Sequence, residues 1–243
     1  MPLQSSSRKN SERLADFKNI FPSDIVAFVS NRSIDFARKG DVLTLSDKQR
    51  RFLSRSVGEK VSSLPNIKQV HGKRIVVVKG TSGWPFKADG LITQKPGIPL
   101  TVRTADCLSI FIFDPKSRAI GLVHAGWRGT QKKIALRAIE LMKKNWGTCP
   151  QDLRIVFGPS IKSCCYEVGN EFKKYFLKEI SRRDGRLFLD LNLANRRQLL
   201  KAGVRKRNIY DCGICSACDA RCHSFRRDGE KSGRMLSFMM LKD

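Results

Sequence analysis

Four short apolar runs constrain this chain most: Ile75–Val78, Ile110–Phe113, Ala119–Val123 and Leu153–Phe157. Each is too short for a buried helix and is bounded by turn or loop residues, such as Asp114-Pro115 and Gly158-Pro159. They therefore read as strands, with Ile75–Val78 a buried one. Between them, Gly129–Lys144 sets Ile134, Leu136, Ala138, Leu141 and Met142 close to a helical period with lysines opposite, an amphipathic helix. Ser46–Val57, Val168–Glu179 and Asn192–Ala202, the last with a Gly203 stop, are also expected to be helical. Ile25–Ser30, Leu91–Thr93 after an Asp89-Gly90 turn, Leu187–Leu189, Ser224–Arg226 and Met235–Leu241 are expected to be extended.

Strands and helices alternate without internal repeat or long linker. This predicts one α/β domain, a mixed β-sheet core flanked by helices in an α+β sandwich. Residues 1–20 are polar and rich in Ser, Lys and Arg. They are expected to form a flexible basic arm with a short helix over Ser11–Lys18, leaving 21–243 as the domain.

Lys and Arg number 47 against 22 Asp and Glu, a net charge of +25. Such a field attracts polyanions and phosphorylated small molecules. The basic residues are dispersed, however, and no run of five or six marks a nucleic-acid tail. Nucleic acid is thus a partner the sequence permits without favouring. No apolar stretch approaches the ~20 residues a membrane helix needs. The N-terminus has no apolar signal region, so a cytoplasmic location is expected. In that compartment eight cysteines point to burial, metal binding or redox chemistry rather than disulfides.

The chain has only three histidines, His71, His124 and His223. His71 and His124 fall where expected strands meet glycine-containing loops, and Cys107 lies between them, before another strand. Two His and one Cys are a ligand set for catalytic zinc, which leaves one position open. The intervals of 36 and 17 residues are long. On spacing alone, two structural histidines and a buried cysteine account for the pattern better than a metal site.

The strings NIKQVHG (66–72), ADGLIT (88–93), TADCLSIFIFDP (104–115), GLVHAGWRGT (121–130), GPSIKSCCYEVG (158–169) and SFRRDGEKSGRM (224–235) occur in this order. Together they closely resemble the multicopper polyphenol oxidoreductase, or laccase-domain, family. Its members were later described as purine nucleoside phosphorylases with adenosine deaminase and methylthioadenosine phosphorylase activity. The resemblance spans roughly residues 60–240. It implies that His71, Cys107 and His124 bind the metal. It also implies purine nucleoside and inorganic phosphate as substrates.

The residues speak against the older name. A multicopper oxidase needs one mononuclear copper and a trinuclear cluster, far more histidine than this chain carries. Copper at a zinc site is expected from its higher intrinsic affinity, so Cu2+ is the alternative to Zn2+. A copper-dependent phenol oxidase and a weakened nucleic-acid-binding relative are the competing functions.

For nucleoside chemistry, arginine forks suit phosphate. Arg128 is the first candidate, or else a structural ion pair. Arg226 and Arg227 follow, one expected to face the site and the other to hold the fold. Asp106 could orient a ligand or move a proton, although strand alternation turns it from Cys107. Glu167 is a weaker acid–base candidate. Gln69 and Trp127 are substrate-contact candidates, with core packing the alternative for Trp127.

The N-terminal side departs from the family, whose threonine-arginine and Gly-Gly loop should fall within 29–41. Arg32 is the candidate for the family arginine, while the Gly-Gly pair is missing. Cys212, Cys215, Cys218 and Cys222 show the spacing C-x2-C-x2-C-x3-C of bacterial ferredoxins, with His223 where Pro usually follows. Relatives carry C-T-x-C near here without a cluster, which favours ordinary packing over a metal or a redox thiol pair. Cys164 and Cys165 read as packing or pocket lining. Oligomeric state is open between monomer and small homo-oligomer.

Overall fold

The structure, a computed structural model, describes residues 12–37, 45–58, 64, 67–80 and 86–242. Its centre is a six-stranded mixed sheet in the order Ile209–Asp211, Arg154–Phe157, Leu108–Asp114, Ala119–Ala125, Gly90–Thr93, Ile75–Val77. A four-stranded antiparallel sheet, Arg13–Asp16, Ile25–Ser30, Met235–Leu241 and Leu100–Thr104, lies over one face. Alternation along Leu108–Asp114 shows how the layers form. Phe111 and Phe113 join the core shared with Val29, Val102 and Met239 of the second sheet. Ile110 and Ile112 join the core shared with Ile134, Ala138 and Leu199 of the helices. Phe28 and Phe238, on the outer face of the second sheet, meet Phe52 of the helix Asp47–Val57. The result is a helix–sheet–sheet–helix sandwich in a single domain. Strands with both faces covered are largely apolar, and Leu108–Asp114 and Met235–Leu241 are buried at every position.

Several expected elements change. Ser11–Lys18 is not a helix: Arg13–Asp16 pairs as a strand with Ile25–Ser30, and Phe17 is buried. The flexible arm therefore does not extend through residues 12–20, and residues 1–11 lie outside the described residues. Ile75–Val77 is a half-buried edge strand rather than a buried one. The helix expected over Gly129–Lys144 is two helices, Trp127–Gln131 and Ile134–Trp146, broken where Lys133 turns left-handed at φ 57°. Val168–Glu179 is mostly not α-helical: Glu167–Val168 is a strand and Lys173–Phe176 a single turn. Ser224–Arg226 is not extended, because Ser224 caps the short helix Phe225–Asp228. The helix at Asp47 has the capping box its sequence encodes, Ser46 and Gln49 bonding each other's backbone. No described helix is long and apolar enough to cross a membrane.

The docking of Phe17 is testable. Its ring lies 4.9 Å from that of Phe111, edge to face. Phe17→Ala should lower stability by about 3–5 kcal/mol in chemical denaturation. An unchanged midpoint would mean that this segment is outside the core.

Candidate metal centre

Strand register brings the three ligands together. Leu108 pairs with Ala125 and Ser109 with His124, so the start of one strand meets the end of its neighbour. Cys107 immediately precedes the first and His124 sits near the end of the second. Gly90 pairs with Val123, and the His124 amide donates to the Asp89 carbonyl at 2.7 Å. Ile75 runs parallel to Gly90, so the His71 loop enters at the same end of the sheet. Four segments far apart in sequence thus converge on one sheet end. The ligand atoms of His71, Cys107 and His124 all lie within 4.8 Å of one another.

Asp89 fixes the arrangement. It is fully buried, and its Oδ1 lies 2.9 Å from His124 Nδ1. The same carboxylate accepts the backbone N–H groups of His71 at 2.9 Å, Gly72 at 2.7 Å and Val70 at 3.2 Å. It therefore orients one ligand by its ring and the other by its main chain. With Nδ1 engaged, Nε2 of His124 is left to bind, the usual carboxylate–histidine–metal relay. His71 adopts φ 55°, an unusual left-handed conformation for histidine that this anchoring sustains. Gly126 permits the close approach. A Cβ there would meet Cys107 Sγ at 2.9 Å and His71 Cδ2 at 3.1 Å.

Electrostatics prepare the donors. Burial alone would raise the Cys107 thiol, but the charge and hydrogen bonds of His124 and His71 bring it down to about 6. Burial would lower His124, but the Cys107 thiolate and Asp89 raise it to about 9. Burial likewise opposes the Asp89 charge, yet His124 and the amides of Gly72 and Val70 hold the carboxyl below its ordinary value. The two opposed shifts favour a thiolate beside an imidazolium in the metal-free site. The donor set, its spacing and the Asp89 anchor all fit a divalent zinc-type ion in an open three-ligand site.

The site opens into a cavity of about 760 Å3, lined by all three ligands and by Gln69, Asp106, Trp127 and Arg226. Gln69 also pairs with the Arg103 backbone through both amide atoms, each at 2.9 Å. Both carboxylate oxygens of Asp106 are engaged, one by Ser216 Oγ at 2.6 Å and one by the Arg226 amide at 2.7 Å. Trp127 lies 5.0 Å from the Phe172 ring. The Arg226 guanidinium binds the Cys165 and Glu167 carbonyls and faces Tyr166 at 5.4 Å.

The other candidates do not line the cavity. Arg128 is exposed and stacks over Trp127 at 4.3 Å. Glu167 is exposed beside Arg186 at 3.6 Å. Arg227 is the fold-holding member of its pair, binding the carbonyls of Ser216, Ala217, Asp219 and Cys222. Arg32 reaches the Ala220 carbonyl at 3.4 Å. Residues 38–41 of the expected N-terminal loop lie outside the described residues, whereas Ala37 lines the cavity. Sequence reasoning missed Asp89, because Asp-Gly reads as a turn. It also missed Tyr166, Arg103 and Arg234, which line the cavity without a spacing signal.

Asp89→Asn should lower zinc affinity about 10–100-fold in a chelator competition, with the far-ultraviolet spectrum unchanged. Wild-type affinity would show that the carboxylate does not organise the ligands. Zinc uptake at pH 7 should release about one proton, from His124, so affinity should rise with pH and level off near the raised value of that group. Calorimetry in two buffers of different ionisation enthalpy reads this. Uptake without proton release would mean that His124 is already neutral.

The chain matches, over residues 32–242, the family model described as multi-copper polyphenol oxidoreductase laccase. It is 36% identical over 199 residues to a protein of Deinococcus radiodurans named purine nucleoside phosphorylase, covering 80% of this chain and 76% of that one. It is 34% identical over 220 residues to adenosine deaminase RL5 from an unknown prokaryotic organism, covering 81% and 82%. The fold is similar to the crystal structure of YlmD from Geobacillus stearothermophilus, with TM-score 0.78, 29% identity and coverage of 91% and 93%. The ligand trio at the sheet end, the surrounding fold and these matches agree: the chain belongs to the multi-copper polyphenol oxidoreductase laccase family.

Proposed function

We propose that this protein is a zinc-dependent enzyme of purine nucleosides. It would cleave adenosine, inosine or methylthioadenosine with phosphate and deaminate adenosine, with the ion held by His71, Cys107 and His124. The observation that carries this reading is one cavity that combines the ligand trio with aromatic and cationic walls. The names of the relatives support the substrate class. When bound, the ion supplies Lewis acidity for activating water or polarising a substrate oxygen.

The chain's own residues divide the remaining work. Trp127, Tyr166 and Phe225 offer flat surfaces for a purine base. Burial and the Cys107 charge push the Tyr166 phenol up, so it stays protonated and can donate to substrate. Arg226, with Arg103 and Arg234, supplies positive charge for phosphate. Arg226 takes the phosphate role first considered for Arg128, because it lines the cavity. Asp106 acts as a positioning residue that ties Ser216 to the Arg226 main chain. Glu230 lines the cavity and is the carboxylate placed to move a proton.

Copper oxidase chemistry fits less well. His223, the only other histidine, is buried outside the ligand trio, so no further imidazole is available for a second copper.

Incubation with adenosine or inosine and phosphate, read by chromatography, should give free base and ribose phosphate, and inosine from adenosine. Cys107→Ala should abolish product. Arg226→Ala should raise KM for phosphate by about 10-fold or more, the worth of a charged hydrogen bond. Product formation no greater than that of Cys107→Ala would refute the proposal.

A further inference from the structure

The cysteines group in space differently from their spacing. Cys212 and Cys222 are buried in the sheet core and take the packing role. Cys215 and Cys218 leave that run and meet the neighbouring pair Cys164 and Cys165 from another loop. The four sulfurs lie within 4.8 Å of one another. Cys218 Sγ is 3.7 Å from Cys164 Sγ and 3.2 Å from Cys165 Sγ. A tetrahedral zinc thiolate, with bonds of about 2.3 Å, separates its sulfurs by about 3.8 Å. A single ion fits this cage, whereas an iron–sulfur cluster would hold its thiolates further apart.

The backbone around the sulfurs is arranged as in a metal knuckle. Cys215 and Cys218 have the C-x2-C spacing of structural zinc loops. Against burial, main-chain hydrogen bonding from Lys162, Cys218 and Ala217 favours the Cys215 thiolate. The Asp219 amide closes the turn onto the Cys215 carbonyl at 3.0 Å. The two loops are already aligned by the Ser160–Cys215 bridge and the Ser216 amide bond to Ser160 at 3.1 Å. Arg183 lies beside the cluster and donates to the Cys164 carbonyl at 3.2 Å.

We propose that Cys164, Cys165, Cys215 and Cys218 form a second, structural zinc site that staples two walls of the substrate cavity. The first loop carries Ile161 and Tyr166 into the cavity, and its Cys165 carbonyl holds Arg226. The second carries Ser216, which binds Asp106, and leads into the helix of Arg226. A closed four-thiolate site contributes folding energy without taking part in the reaction. It therefore acts on the cavity through the positions of these side chains.

Protein purified under reducing conditions without added metal should carry about two zinc ions per chain by elemental analysis. Cys107→Ala should lose one and keep the other, and Cys218→Ser should lose the other while keeping the first. A wild type whose zinc is removed entirely by Cys107→Ala overturns the proposal. Wild-type protein gives an independent reading should the Cys218→Ser chain fail to fold. Its thiols at 164, 165, 215 and 218 should resist alkylation until a zinc chelator is added, as mapped by peptide mass spectrometry. Alkylation of all four before chelation, or a Cys165–Cys218 disulfide in the reduced preparation, overturns it equally.

Discussion

The buried carboxylate of Asp89 is the interaction on which the candidate centre depends. It accepts three consecutive backbone amides from Val70 to Gly72 and the ring of His124. A carboxylate at that depth is costly unless fully hydrogen-bonded, and here it is bonded by groups from both ligand segments. Its removal would free the His71 loop and the His124 ring together. The sheet supplies the coarse placement by ending strands at one point. Asp89 supplies the finer placement that a tetrahedral ion requires.

The layers behind the site explain why that point is rigid. Leu108–Asp114 and Ala119–Ala125 are buried along their whole lengths between the second sheet and the helices. A close-packed core of this kind has few alternative arrangements. Cys107 and His124 are extensions of those strands and inherit their order. Tyr166, Arg226 and Arg234 reach the cavity from segments outside the central sheet. The four-cysteine cluster brings together the segments that carry Tyr166 and Ser216.

Much of this was legible in the sequence. Apolar runs gave the central strands, and the helix expected over Ser46–Val57 is present as Asp47–Val57. The ligands stood out because histidine is scarce and sits at strand ends, although family resemblance carried more weight than spacing. Other features depend on three-dimensional contacts. Asp89 followed by Gly90 has the local chemistry of a turn, and its carboxylate is engaged only by groups distant in sequence, the amides of Val70–Gly72 and the ring of His124. Arg128 lies in the most distinctive motif, yet its position in the first turn of a helix directs it over Trp127 and out of the cavity. Lys133 breaks a helix whose apolar period runs on unbroken. The cysteine spacing suggested one continuous run, but the chain folds two of its members into the core and brings in Cys164 and Cys165.

The most direct test of the central claim is anomalous diffraction from crystals of protein purified without added metal, recorded on either side of the zinc and copper absorption edges. The account predicts a zinc peak bounded by His71, Cys107 and His124, with Asp89 bonded behind His124. A copper signal alone would contradict the choice of metal, and no peak among these three residues would contradict the site.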